Sequence, residues 1–237
     1  MSGTITTDNI TDIVDQLATL SRYIVENVKS DDATFIHFFG SPKYYQNVMD
    51  VFSRLADIRT GAIGAGEELH IVTDMDVDRN GPGGHQEIAS FSFQELVPTI
   101  TLYSPFRDLD DIFRKGPGHN EAGQLVYLRS SRQALLLHEL IHFVTNKIHY
   151  PPIVPKYKNS VGFLFSAAID VKLADACGWG EKKWIFDKSD VVFESKKELE
   201  KAVVYGEFRT LLLAQLKYGP RYAVHNADNY ALFAIEY

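Results

Sequence analysis

Ala134-Leu135-Leu136-Leu137-His138-Glu139-Leu140-Ile141-His142-Phe143-Val144 is the stretch around which the rest of the chain organises. Ser130 or Ser131 is placed to cap a helix that runs to about Lys147, and Tyr150-Pro151-Pro152 stops whatever remains of it. On that helix the leucines, Ile141, Phe143 and Val144 cover nearly every direction except the one taken by His138, Glu139 and His142. A helix apolar on almost all sides is a buried helix, and polar groups inside it need a compensating partner. The pattern His-Glu-x-x-His supplies one. Residues four apart on a helix differ by about 40° around its axis, so both imidazoles can reach one divalent ion. Glu139, beside the first of them, can contact a water activated by that ion. Chance gives this pattern in about one chain of this length in a hundred. The competing explanation is a surface helix with histidines one turn apart, which the apolar surroundings argue against.

Two histidines leave a catalytic zinc site incomplete, since such sites generally take three protein ligands and one open position. A metzincin continuation is missing: Phe143 to Tyr150 contains only His149, seven residues on and past the expected end of the helix. The third ligand therefore comes from further along. Asp170, His225 and Asp228 are the candidates.

The segment His225-Asn226-Ala227-Asp228-Asn229-Tyr230-Ala231-Leu232-Phe233-Ala234 resembles the third-ligand segment of the aspzincin metallopeptidases, the deuterolysin and peptidyl-Lys metalloendopeptidase group. Their signature is His-Glu-x-x-His followed later by Gly-Thr-x-Asp-x-x-Tyr-Gly, and this chain looks like a divergent fungal-type member. Phe39-Gly40 ahead of an amphipathic helix and Thr99-Ile100-Thr101-Leu102-Tyr103-Ser104-Pro105 are similar to family landmarks, so the likeness spans about Phe38 to Phe233. The resemblance implies Asp228 as third zinc ligand beside His138 and His142. It implies Glu139 as the general base, with Tyr230 as the counterpart of the family's oxyanion-stabilising tyrosine. Asn226-Ala227 replaces Gly-Thr, and Tyr230 follows Asp228 by two residues where the family has three.

Periodicity elsewhere is consistent with a single α+β domain, and the resemblance implies that it is zincin-like. Ile10, Ile13, Val14, Leu17, Leu20, Ile24 and Val28 recur at helical spacing, with Asp8 or Thr11 as cap, and a second amphipathic helix covers Lys43 to Ile58. Glu68–Thr73, Ile88–Phe93 and Thr99–Tyr103 read as strands, and Leu125–Leu128 as strand or helix lead-in. Ser160–Ala176, Lys196–Leu216 and Asn226–Ile235 read as helices. The expected architecture is one domain over 1–237: N-terminal helices in 1–60, a small twisted sheet and loops in 61–128, and metal-binding helices in 129–237. The strand Thr99–Ser104 is expected at the sheet edge beside the cleft, where Thr101 and Tyr103 would bind substrate as an added strand.

Composition narrows the function classes. Hydrophobic residues make up 45% and charged residues 23% of 237 residues, which excludes a disordered or fibrous chain. A net charge of -7 offers no global basic field for nucleic acid. No apolar run approaches the roughly 20 residues of a membrane span. One cysteine, Cys177, permits no intrachain disulfide, and Met1 to Asn9 does not read as a signal peptide. The expectation is a cytoplasmic protein as the sequence stands, secreted if a leader has been removed, with no nucleic-acid or membrane partner. Nothing in the sequence sets the oligomeric state. Asp76-Val77-Asp78-Arg79-Asn80-Gly81 with Glu87 in the twelfth place has the spacing of a calcium loop, but Pro82 and Gly83 stand where such a loop wants a strand-forming residue. An acidic turn between strands explains the same residues.

The expected function is zinc-dependent hydrolysis of a peptide bond by an HExxH metalloendopeptidase. Two alternatives remain. Two histidines and one carboxylate also form the triad of non-haem iron enzymes, so the same site suits a small-molecule lyase, cyclase or hydrolase using zinc or iron. The other is a zinc-binding protein without turnover.

Overall fold

The computed structural model describes residues 7–58, 69–74, 88–94, 97–109, 118–119, 125–126, 131–146, 154, 156–158, 164–165, 167–176, 204, 207–216 and 218–237. The first helix, α1 (Thr7–Asn27), buries Ile10, Ile13, Val14, Leu17 and Ile24, as its spacing predicts. It begins at Thr7, so Asp8 and Thr11 lie inside it and neither is its cap. A short helix that periodicity does not announce follows, α2 (Ala33–Phe39). Asp32 caps it by accepting hydrogen bonds from the Thr34 and Phe35 amides, and Gly40 ends it in the left-handed region at φ 70°. Ser41 starts a 3-10 turn over Pro42–Tyr44 that runs into α3 (Tyr45–Ala56). Its apolar face, Val48, Val51, Phe52 and Leu55, packs against α1.

Three strands form the sheet: β1 (His70–Asp74), β2 (Ala89–Gln94) and β3 (Val97–Tyr103), in the order β1-β3-β2. β1 runs parallel to β3 with His70 opposite Thr99, and β2 runs antiparallel to it with Phe91 opposite Ile100. The expected edge strand is therefore the middle one. Both backbone edges of β3 are already paired, which leaves Thr101 and Tyr103 buried and without a free edge to offer. After a 3-10 turn over Ser104–Asp108 come two-residue strands β4 (Gly118–His119) and β5 (Leu125–Val126), paired with each other.

Helix α4 (Arg132–Thr145) carries the histidines. Ser131 caps it through the Ala134 amide, and of its residues only Arg132, Gln133 and His142 escape full burial. β2 lies against it, with the Phe91 and Phe143 rings 6.0 Å apart. Next come β6 (Tyr157–Lys158), β7 (Leu164–Phe165), α5 (Leu173–Ala176), α6 (Glu207–Gln215), α7 (Gly219–Ala223) and α8 (Ala227–Glu236). The helix expected over 160–176 is not formed at 164–165 or 167–172. Leu164–Phe165 is a strand, and Ile169 bridges Asn226 in parallel fashion. The Ile169 amide donates to the His225 carbonyl at 2.7 Å, and the Ala227 amide donates to Ile169's at 3.2 Å. These tertiary hydrogen bonds override the helical preference suggested by the Ala- and Leu-rich composition. Of the helix expected over 196–216, Glu207–Gln215 is helical, whereas Val204 is not, and its amide donates to the Val171 carbonyl at 2.8 Å.

A continuous apolar core joins these elements, from Ile10 to Phe233. At its centre Phe233 of α8 meets Phe35, Phe38 and Phe39 of α2 edge-on and Phe52 of α3 at a tilt. Aromatic pairs of this kind add about 0.5–1.5 kcal/mol each beyond the area they bury. They fix α8 against the N-terminal helices, and α8 in turn packs on α4.

Candidate metal centre

His138 and His142 lie one turn apart on α4, with ring centroids 4.7 Å apart and planes at 80°. The far side of each ring is committed. His142 Nδ1 lies 3.0 Å from the Ala168 carbonyl, which can only accept, so this nitrogen carries the proton. His138 Nδ1 lies 2.6 Å from Asp228 Oδ1, a carboxylate that accepts in the same way. Both Nε2 atoms then turn inward, 3.0 Å apart, where each can give its lone pair to an ion that displaces the proton. Asp170 Oδ1 joins them, 3.2 Å from His138 Nε2 and 3.7 Å from His142 Nε2.

Three electron-pair donors meeting this closely call for a cation between them. A tetrahedral zinc with bonds of about 2.0–2.1 Å separates its ligands by about 3.3–3.4 Å. The three separations found here bracket that value, so the donor set fits the ion. Among the described residues, His138, His142 and Asp170 are the group with metal-ligating geometry. The site's electrostatics agree. Burial works against charging His138, yet the Asp228 and Asp170 carboxylates outweigh it and raise its pKa to about 10. Burial likewise works against ionising Asp170, and His138 and His142 more than reverse this, holding its carboxyl well below the usual range.

Asp228, expected as the third ligand, lies behind His138 against its Nδ1, and the carboxylate beside the two Nε2 atoms is that of Asp170. Asp228 sits in the first turn of α8, behind the ring it contacts, and its side chain is only 4% exposed. Asp170 lies on the extended run 167–171, which crosses in front of both Nε2 atoms. A signal for Asp170 is present in the sequence. Ala167-Ala168-Ile169-Asp170-Val171-Lys172-Leu173-Ala174 has the spacing of Gly-Thr-x-Asp-x-x-Tyr-Gly, with small residues at the ends and Leu173 in place of the tyrosine. Assigning the segment to a helix hides it.

Glu139 lies on the same turn of α4, 6% exposed, and its carboxylate makes no hydrogen bond among the described residues. His225 is buried and its Nδ1 faces the Ala167 carbonyl at 3.3 Å, outside the converging group. Tyr230, expected to steady an oxyanion, is a core residue. Its hydroxyl donates to the Val224 carbonyl at 2.8 Å, its ring packs on Phe39 and Phe52, and burial pushes its pKa up. Tyr103 is also inside, its hydroxyl 2.9 Å from Ser90 Oγ. The acidic loop from Asp76 to Glu87, His149 and Cys177 lie outside the described residues.

No family model matches the chain, and no curated protein matches it. Among solved structures it is similar to a zinc peptidase from Grifola frondosa, with a TM-score of 0.50 and 12% sequence identity over 98% of this chain and 97% of that one. The fold is therefore α+β and of the zinc-peptidase kind, with a small sheet packed on the helix that bears the two histidines.

Proposed function

We propose that this chain is a zinc-dependent metallohydrolase that cleaves peptide bonds. The observation that carries the reading is the convergence of two Nε2 lone pairs and one carboxylate oxygen at separations that suit zinc. The shared fold with a zinc peptidase supports it. A zinc ion held by His138, His142 and Asp170 would supply a Lewis acid that makes water a nucleophile near neutral pH. Glu139, buried beside the first histidine and without a competing hydrogen bond among the described residues, takes the proton of the attacking water. It then delivers that proton to the departing amine nitrogen. Ala168 and Asp228 hold the two rings so that only Nε2 faces the centre. Substrate docking moves from β3 to β2, the edge strand of the described sheet that packs on α4. An extended peptide adds to such an edge through its backbone.

The test is metal analysis of the anaerobically purified protein, followed by digestion of a mixed peptide library read by mass spectrometry. The expected result is about one zinc per chain and internal cleavage that a chelator stops. Glu139→Gln should keep the zinc and lose turnover by about 100-fold or more. Zinc without cleavage would favour a binding protein, and iron would favour the small-molecule chemistry of a two-histidine, one-carboxylate centre.

A further inference from the structure

The three donor atoms come from two segments, α4 and the run 167–171, and a third segment grips both. Through Asp228, residues 225–229 hold His138 Nδ1 at 2.6 Å. Through the backbone they hold Ile169, the residue before Asp170, by one hydrogen bond to the His225 carbonyl and one from the Ala227 amide. Through the Asn226 side chain they hold the residue after it: Asn226 Oδ1 accepts from the Val171 amide at 3.2 Å. Asp170 is thus fixed by its neighbours on either side, while its own side chain stays 35% exposed and turned to the histidines.

Asn226 is itself anchored. Its Nδ2 donates to the Val204 carbonyl at 3.3 Å and to Asn229 Oδ1 at 2.8 Å. Asn229 Nδ2 donates onward to the carbonyls of Phe38 at 2.6 Å and Thr210 at 3.2 Å. Both asparagines are 0% exposed, and each has its acceptor and its amide donors engaged. A half-satisfied polar group at this depth would be a liability, whereas a completed network specifies one arrangement of the segments that meet there. The segments that meet here are the ones that carry the metal ligands.

We propose that His225–Asn229 is a clasp that sets the metal centre in place before an ion arrives, with Asn226 as the positioning residue for Asp170 and Asp228 as that for His138. The proposal rests on the zinc reading of the site. A metal bound by ligands already in place does not have to order them, so loosening the clasp should weaken zinc directly.

The experiment measures zinc affinity by chelator competition, with wild type first, then Asn226→Ala and the shape-preserving Asp228→Asn. Circular dichroism checks that each metal-free variant remains folded. Leu17→Ala in α1, destabilised at a remote core position, is the control and should bind zinc as wild type does. Both clasp variants should bind zinc about 10- to 100-fold more weakly. The visible absorption of their cobalt-substituted forms should shift, a change that mere loss of stability does not produce. Folded variants with wild-type zinc affinity and an unchanged cobalt spectrum would overturn the clasp. Should Asn226→Ala fail to fold, Asp228→Asn decides on its own. A wild-type protein that takes up no zinc overturns instead the metal reading beneath it, and the first measurement separates the two failures.

Discussion

Raising the pH of the metal-free protein from 7 to 9 should cost it stability, and the zinc-loaded protein should not share the loss. With no ion present, the cation that the centre calls for is the proton on His138, held between Asp228 at 2.6 Å and Asp170 at 3.2 Å. Burial opposes that proton, but the carboxylates prevail and the pKa rises from 6.5 to about 10. A group whose pKa is raised by folding stabilises the folded state fully below its unfolded value, and the benefit fades as pH climbs through the folded one. The window therefore runs from about pH 6.5 to about pH 10. Between pH 7 and 9 the linkage amounts to roughly 2–3 kcal/mol. In urea this is a fall in midpoint of about 1 M. Asp170 is the partner in the same ion pair, so its lowered pKa adds nothing further in this window; its contribution is lost only at acid pH. Urea unfolding at the two pH values, with and without saturating zinc, reads the effect. Asp228→Asn should remove much of it. Nitrogen-15 spectra of the imidazoles give the microscopic check: His138 should still be charged at about pH 8. A metal-free midpoint that does not move, or a neutral His138 ring at that pH, would refute the picture of a cation-demanding centre.

Asp170→Ala should lose far more zinc affinity than Asp228→Ala, because one removes a donor atom and the other a support expected to matter by about 10- to 100-fold; chelator competition ranks them, and the reverse ranking would restore Asp228 as ligand. Tyr230→Phe should leave hydrolysis unchanged and cost about 1–2 kcal/mol in denaturant unfolding, since it strands the buried Val224 carbonyl. A large loss of turnover in a stable Tyr230→Phe protein would return the tyrosine to the chemistry. Gly40→Ala should destabilise by about 2–4 kcal/mol: at φ 70° its added Cβ would meet the Ala214 carbonyl oxygen at 2.2 Å. An unchanged melting temperature would count against the left-handed cap.

What was legible in the sequence is what depends on near neighbours. His138, Glu139 and His142 stand on one turn of one helix, and a five-residue pattern suffices to place them. The amphipathic helices α1 and α3 and the three strands declare themselves by period, as does the cap at Ser131. The carboxylate that joins the two histidines was not legible in the same way. Asp170 and Asp228 both stand near alanines and an aromatic or aliphatic residue at helical spacing, and only the path of the chain decides which of them faces Nε2. That path depends on the Ile169–Asn226 bridge, a contact between residues far apart in sequence whose hydrogen bonds leave no local trace. Sheet order was hidden for a similar reason. β1 and β3 pair directly and in parallel although β2 lies between them in sequence, and alternation along Thr99–Tyr103 cannot reveal whether one or both of its edges are covered.

The hydrogen bonds that tie α8 to everything before it also impose an order in time. Asn229 closes onto the Phe38 carbonyl across 191 residues, and His138 meets Asp228 across 90. Contacts of such separation carry a heavy entropic cost until the intervening chain is compact. During translation, α4 leaves the ribosome with both histidines and Glu139 long before residues 225–229 have been made. The nascent chain therefore passes through a stage in which the signature motif is complete but Asp170 has no bridge to rest on and His138 no carboxylate behind it. The cluster of His138, His142 and Asp170 is therefore assembled only with the docking of the last helix, and an ion that needs all three donors finds no finished site on the growing chain.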